Sequence, residues 1–541
     1  MSSGRRRPSL LGGLLWTGLG VLFLLRNFGI GPDFWSLAAR YWPILLILLG
    51  LGKVIDYYRQ KEGVSVRIGE VIGILLLLLI GTFFTKVTHG PVGRIFREFP
   101  ITIAGTHVRP GQWLGNSYSY SEERSYPLST PTPIRIENSY GSISVSPGSD
   151  QEVKVRLRKV VYVNDESRAK AIAGEIRLDA GPEGKAEAAW FVVKTNRDDL
   201  SARDYRYNTD LELFVPAKSQ LQVRNSFGEA RAANLEGKLD LSTSHNDLEI
   251  RDCSGEFTAT NRYGDSRFIN LTGNVVVDAR GRVVAEGIKG NLTVRNEYNP
   301  VEIRDVDGEV SVTNTESSVS LEKVTKPSTI EARGTEVTAN DLKGGLKLKT
   351  SHRRVRIGEV QAGVLADTSY ATATFKDIKG DVTCTSSSDR LNFENLGGTL
   401  KVKAVGSMVT AADVAGPVEV QTTLRDVTLS EVASAVTVVN EYGDVTVSAA
   451  SLGKDGINIK NKNGAIELFL PEEAAFEIQA NARNGRVSSD YPGLQPAEVA
   501  PEAAALKGKL KSGGPKVILE NEYGNIRLRS RGSETARNRT N

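Results

Sequence analysis

An 18-residue repeat running through the middle of this chain constrains its fold more than any motif does. It can be followed on one turn position: Gly237, Gly255, Gly273, Gly290, Gly308, Lys326, Gly344, Ala362, Gly380, Gly398, Gly416 and Ser434, where every step is 18 residues except one of 17. A fixed period with no helical pattern inside it predicts a solenoid, in which each repeat is one coil and buries its apolar face on its neighbours. Two residues before the turn stand apolar side chains such as Leu235, Cys253, Leu271, Ile288 and Val306; four after it come Leu241, Ala259, Val277, Val294 and Val312. Apolar residues spaced by two mark a strand with one buried face. A second strand follows in each coil, as in Val301, Ile303 and Val306, with Glu302 and Arg304 outward. At one strand spacing per coil, about 4.8 Å, twelve coils predict a rod roughly 55 to 60 Å long. The expected fold class is mainly β: a parallel β-helix (solenoid) of about twelve 18-residue coils, expected to be right-handed, behind an N-terminal α-helical membrane anchor.

The far turn of each coil carries its own phrase. Asn225-Ser-Phe-Gly228, Asn261-Arg-Tyr-Gly264, Asn296-Glu-Tyr-Asn299 and Asn440-Glu-Tyr-Gly443 keep the beat, and related copies stand at Asn138-Ser-Tyr-Gly141 and Asn521-Glu-Tyr-Gly524. One reading is structural: Asn caps the turn backbone, Gly permits positive φ, and the rings stack on one another. The functional reading takes Phe227, His245, Tyr263, Tyr298, His352, Tyr370 and Tyr442 as an exposed ligand-binding stripe able to stack on sugar rings.

The net charge of +4 over 541 residues is too small to imply a nucleic-acid partner. The two cysteines, Cys253 and Cys384, fall on inward columns about seven coils apart. That separation of roughly 35 Å is far beyond disulfide reach, so both read as small core residues.

Residues 1–84 read as a membrane anchor of two to three segments. Apolar runs cover Leu10 to Leu25, Trp42 to Gly52 and Ile68 to Phe84. The first and third approach spanning length; the second spans only if it starts near Phe34, the alternative being a re-entrant or interfacial hairpin. Arg5, Arg6 and Arg7 before the first run, and Lys53, Arg59, Lys61 and Arg67 before the third, outweigh Arg26 and Arg40 in the first loop. The positive-inside rule then places the N-terminus in the cytoplasm and the C-terminal body outside the cytoplasmic membrane. The remaining expected modules are a tether over 85–132, a β-rich cap with one short helix over 133–222, the repeat array over 223–450, C-terminal strands and cap over 451–530 with a loop near 491–514, and a disordered basic tail over 531–541. Strands of the N-terminal cap are expected to pair antiparallel and to cover the first coil.

Leu211-Glu-Leu-Phe-Val-Pro216, Leu221-Gln-Val-Arg-Asn-Ser-Phe-Gly228, Leu239-Asp-Leu-Ser-Thr-Ser244 and Ile466-Glu-Leu-Phe-Leu-Pro471 give residues 133 to 530 a resemblance to the bacterial DUF4097 adhesin-type β-repeat domain. The head, with Leu10 to Leu25, Asn27 and Trp42-Pro-Ile-Leu-Leu-Ile-Leu-Leu-Gly50, is similar to the membrane segment of LiaI/LiaF-like envelope-stress proteins. Neither resemblance implies a catalytic residue or a cofactor.

The residues agree with that. His89, His107, His245 and His352 are scattered, and the last two, in one column, lie six coils or about 29 Å apart. No Cys-x-x-Cys, His-Glu-x-x-His, phosphate-binding loop or nucleophile elbow occurs. The chain is therefore expected to be a non-enzymatic, integral membrane protein of the bacterial cell envelope, without metal or cofactor, whose solenoid binds cell-wall polymer, glycan or an envelope protein as adhesin or scaffold. Two alternatives stay open: an envelope-stress regulator acting through its membrane segments, and a polymerising scaffold resembling bactofilins. The sequence leaves the oligomeric state open.

Overall fold

The computed structural model describes residues 101–103, 106–108, 116–128, 132–184, 189–200, 203, 205–500 and 503–531. The anchor expected over 1–84 lies outside them, as does the tail beyond residue 531. Among the described residues, no helix is long and apolar enough to cross a membrane.

The body is a parallel β-solenoid of about 14 turns between Leu221 and Leu470. Each coil gives one strand to each of two sheets, and pairing joins residues one beat apart, as in Leu292↔Val310↔Ser328 and Val301↔Val319↔Val337. Alternation along each strand sends Val310, Val312 and Asn314 inward and Ser311 and Thr313 outward. The interior is filled by Val, Ile and Leu with a few rings; Phe375 and Phe393 stack there with centroids 5.1 Å apart.

The coils from Asn234 to Glu431 each carry a left-handed residue in, or directly after, the second strand. Asp252, Asp305, Asp341, Asp377, Asn395 and Asp413 have φ between 52° and 57°. Short polar side chains tolerate this conformation best, and the bulge it makes lets Ile303 and Val306 both face inward although they are three residues apart.

The solenoid exceeds twelve coils because the beat breaks without the structure breaking. Val436 pairs with Ile457, 21 residues on, the extra residues being accommodated in the turn at 450–456. At the N-terminal end, β1 (Ile134–Tyr140) and β2 (Ile143–Pro147) form a complete parallel coil against Leu221–Phe227 and Ala230–Ala233, so the antiparallel cap expected there is corrected in part. Antiparallel pairing is confined to β3 (Glu152–Val163) with β6 (Tyr207–Val215), and β4 (Leu178–Glu183) with β5 (Trp190–Thr195). Strands β5 and β6 then lie parallel to β1 and β2 on their other side. The first coil in sequence is thus the second in space.

The C-terminal end repeats the device. After β7 (Ile457–Asn463) and β8 (Ile466–Leu470), the chain makes β9 (Phe476–Asn484) and β10 (Val487–Ser489), then returns as β12 (Lys516–Tyr523) and β13 (Ile526–Ser530) between the two pairs. The loop expected near 491–514 is corrected: Ala497–Ala500 and β11 (Ala503–Leu510) are strands, and β11 covers β9 antiparallel, with Ala504 and Leu506 buried. Within the expected tether, Asn116–Pro127 is a strand in which Glu123 meets Lys154 and Arg156, while residues 85–100 and 109–115 lie outside the described residues. A helix α1 (Glu166–Glu175) starts at Asp165, whose carboxylate accepts the Arg168 N–H at 2.8 Å, and a helical turn follows at Arg197–Leu200. The ammonium of Lys159, a buried residue, donates to the Ala173 and Ile176 carbonyls at 3.1 and 2.7 Å and to Glu122 at 2.7 Å, which neutralises it.

Candidate functional site

The Asn-bearing edge is built from the inside outward. Asn225, Asn261, Asn296, Asn314, Asn440, Asn461 and Asn521 are all buried, pointing into the coil beneath the turn. Their amides donate to turn carbonyls: Asn225 to Gly141 at 2.9 Å, Asn296 to Gly281 at 2.6 Å, Asn461 to Gly443 at 3.0 Å and Asn521 to Gly464 at 2.8 Å. Asn261 donates to Asn246 and Gly264 and accepts the Gly264 N–H. Each amide therefore satisfies backbone that a tight turn would otherwise leave unpaired, and links it to the neighbouring coil.

Two turn conformations divide the edge into blocks. Gly141, Gly228, Gly443, Gly464 and Gly524, fourth in their phrases, take positive φ, as at Gly464 (φ 111°), where a Cβ would lie 2.2 Å from the Gly443 carbonyl oxygen; Gly264 does not. Between Tyr298 and Leu424 the third residue is left-handed instead, with φ of 66° at Tyr298, 69° at His352, 53° at Tyr370 and 68° at Leu424.

The seven stripe residues consequently do not form one surface. Tyr140, Phe227, His245 and Tyr263 make a continuous stack with centroid separations of 4.9, 4.4 and 5.0 Å; the first three are half-buried, and Tyr263 ends the run 63% exposed. His352 and Tyr370 form a second stack at 5.3 Å. Tyr298 and Tyr442 stand apart from both stacks, 63% and 43% exposed. Tyr140 and Tyr523 belong to the same edge but lie outside the 18-residue beat; their Asn-x-Tyr-Gly phrases are the signal that identifies them.

Other reactive groups are turned inward. Cys253 and Cys384 are free and buried, and burial pushes both thiols up, Cys384 to about 12. Asp389 is buried at the same edge, its carboxylate accepting from the Thr368 and Ser386 hydroxyls at 2.6 Å each and from the Ala371 N–H at 2.5 Å. Among the described residues, no three His, Cys, Asp or Glu side chains come together as a metal set.

The chain resembles known proteins over most of its length. A model of the Toastrack DUF4097 family matches residues 132–529, and one of the LiaF transmembrane domain matches residues 11–107. No curated protein matches. A crystal structure of a candidate cell adhesion protein from Clostridium sporogenes aligns over 76% of this chain and 100% of that one, at 9% identity and a TM-score of 0.14. With the family match covering well over half the sequence and the solenoid spanning the same residues, the chain belongs to the Toastrack DUF4097 family.

Proposed function

We propose that this is a membrane-anchored, non-enzymatic cell-envelope protein that holds its solenoid outside the cytoplasmic membrane and presents the Asn-turn edge to cell-wall polymer, glycan or an envelope protein, as adhesin or scaffold. The observation that carries the reading is the exposure of Tyr263, Tyr298 and Tyr370, at 63%, 63% and 62%, on turns whose backbone is fixed coil to coil. Rings held on a rigid frame lose little freedom on stacking against a ligand, and a repeated edge suits a repetitive polymer through many weak contacts. The LiaF transmembrane match supports the anchored end.

The test is co-sedimentation of the full protein, in detergent, with isolated cell wall. Replacing Tyr263, Tyr298 and Tyr370 together by Ala should weaken binding while leaving the melting temperature unchanged. Binding equal to the parent's would mean that the rings serve the turns alone.

A regulatory reading rests on the same LiaF match over 11–107: the anchor would engage a membrane partner and the solenoid would report envelope damage. It requires residues 1–107 alone to co-purify with that partner, and failure to do so counts against it. The polymerising reading is disfavoured by the covering of β9 by β11 and by the β3–β6 pairing, which occupy edges that end-to-end stacking would need.

A further inference from the structure

Between Arg333 and Arg425 the two turn edges of the solenoid differ in charge. The Asn-turn edge carries Arg333, Arg353, Arg354, Arg390 and Arg425, all exposed. The ion pairs of these coils, Arg356 with Glu336, Lys376 with Glu394 and Lys401 with Glu419, use other residues, so among the described residues the five guanidinium groups have no carboxylate partner. The carboxylates on the turns between Arg333 and Arg425 are engaged, while Glu316 on the preceding turn and Glu331 and Asp367 on the flanking strands are exposed. Glu336 is held by Arg356 at 2.8 Å, Asp389 is buried among hydroxyls, and Asp426, at the far end, accepts the Asp444 N–H at 2.9 Å. The opposite edge of the same coils carries Asp341, Glu359, Asp377, Asp381 and Asp413 against Lys343 and Lys379. Within the basic edge stands the His352–Tyr370 stack, in which Tyr370 is 62% exposed and the equivalent position on the next coil is Ser388, so no further ring extends the stack.

We propose that this basic edge is a docking site for an anionic glycopolymer laid along the coil stack. The proposal rests on the envelope-binding reading above and adds the charge of the ligand and the part of the edge that takes it. Guanidinium groups pair in a planar, two-bond fashion with phosphate or carboxylate substituents, and the ring stack offers an apolar face to the sugars between them. Arg333 and Arg425 stand five coils apart, about 24 Å, so one extended chain of several sugars can touch the whole set.

The experiment measures binding of the full protein, in detergent, to polyglycerol phosphate, to polygalacturonate and to neutral dextran at low and high salt, with oligothymidylate as a competitor. The anionic polymers should bind and dextran should not, with affinity falling steeply as salt rises. The relative affinity of the two acidic polymers identifies whether phosphate or carboxylate is preferred. Arg353→Glu with Arg354→Glu should weaken that binding about tenfold or more without changing the melting temperature. Tyr370→Ala should weaken polygalacturonate binding but spare polyglycerol phosphate, which offers no ring to stack. Equal binding of dextran, or parental affinity in the double Arg variant, would overturn the proposal. Oligothymidylate binding as tightly as polygalacturonate would overturn the glycan assignment. If the Arg variant still sediments with cell wall while the Tyr triple variant does not, the basic edge fails and the envelope-binding reading stands; if the parent binds no wall, that reading fails by itself.

Discussion

At the scale of single residues, the Asn ladder separates side chains that hold the turns from side chains that merely fill a column. Asn261 is fully engaged, so Asn261→Ala leaves several buried backbone groups unpaired and should cost about 1–3 kcal/mol in denaturant unfolding. Thr350 occupies the same column with a buried hydroxyl that has no hydrogen-bond partner among the described residues, so Thr350→Val should be neutral or stabilising. Equal losses for the two variants would remove the distinction. Cys384 makes a second prediction. Burial raises its thiol from 9.0 to about 12, so the folded chain keeps a proton that the unfolded chain gives up. Its contribution to stability is full below about pH 9 and is lost as the pH rises toward 12. Cys384→Ala should therefore flatten the alkaline arm of the stability curve, and an unchanged arm would assign that arm to other groups. The inward place of both cysteines and of the Asn column was legible in the sequence, because period and residue type together fix which side chains face in. Which rings stack was less so: Tyr140 joins Phe227 across 87 residues, and Tyr298 loses a neighbour because Gly281 stands on the preceding coil.

At the scale of elements, the regular coils were readable and the ends were not. Periodicity tells a strand which residues to bury, but not which level of a stack it takes. The phrases at 134–147 and 516–530 look like ordinary repeats, yet each is inserted between strands that are distant from it in sequence. Strand β11 is not legible in the sequence because its apolar alternation, Ala504 and Leu506, sits in a stretch rich in Ala, Gly and Lys and is completed only by pairing with β9. The inserted strands β12 and β13 bury Val517, Leu519, Ile526 and Leu528 completely, each contributing up to about 1.5–3 kcal/mol. A chain ending at residue 515 should consequently lose amide-exchange protection through β7 and β8 and associate through the bared strands, whereas one ending at 531 should not. Parental protection over Ile457–Leu470 in the shorter chain would show that β12 and β13 are dispensable.

At the scale of the whole molecule, the family and the LiaF transmembrane match join a solenoid to a membrane, and the side on which the solenoid lies decides between extracytoplasmic binding and a cytoplasmic scaffold. Asp265→Cys in a Cys253→Ala, Cys384→Ala background places one thiol at a half-buried turn. Labelling of intact cells by a membrane-impermeant thiol reagent, with an outer-membrane-permeabilised control where there is one, is the expected outcome; protection until lysis would reverse the topology. The inserted coil at the N-terminal end has a mechanical consequence for a tethered protein. A strand at a free margin tears away one bond after another when pulled, and Asn116–Pro127, paired with β3, meets the load first; β1, the next strand along the chain, is bonded to β5 on one side and to Leu221–Phe227 on the other. Tension that has passed Asn116–Pro127 must part both neighbours of β1 together, so at the first coil the fold meets a pull as a latch does rather than as a zip.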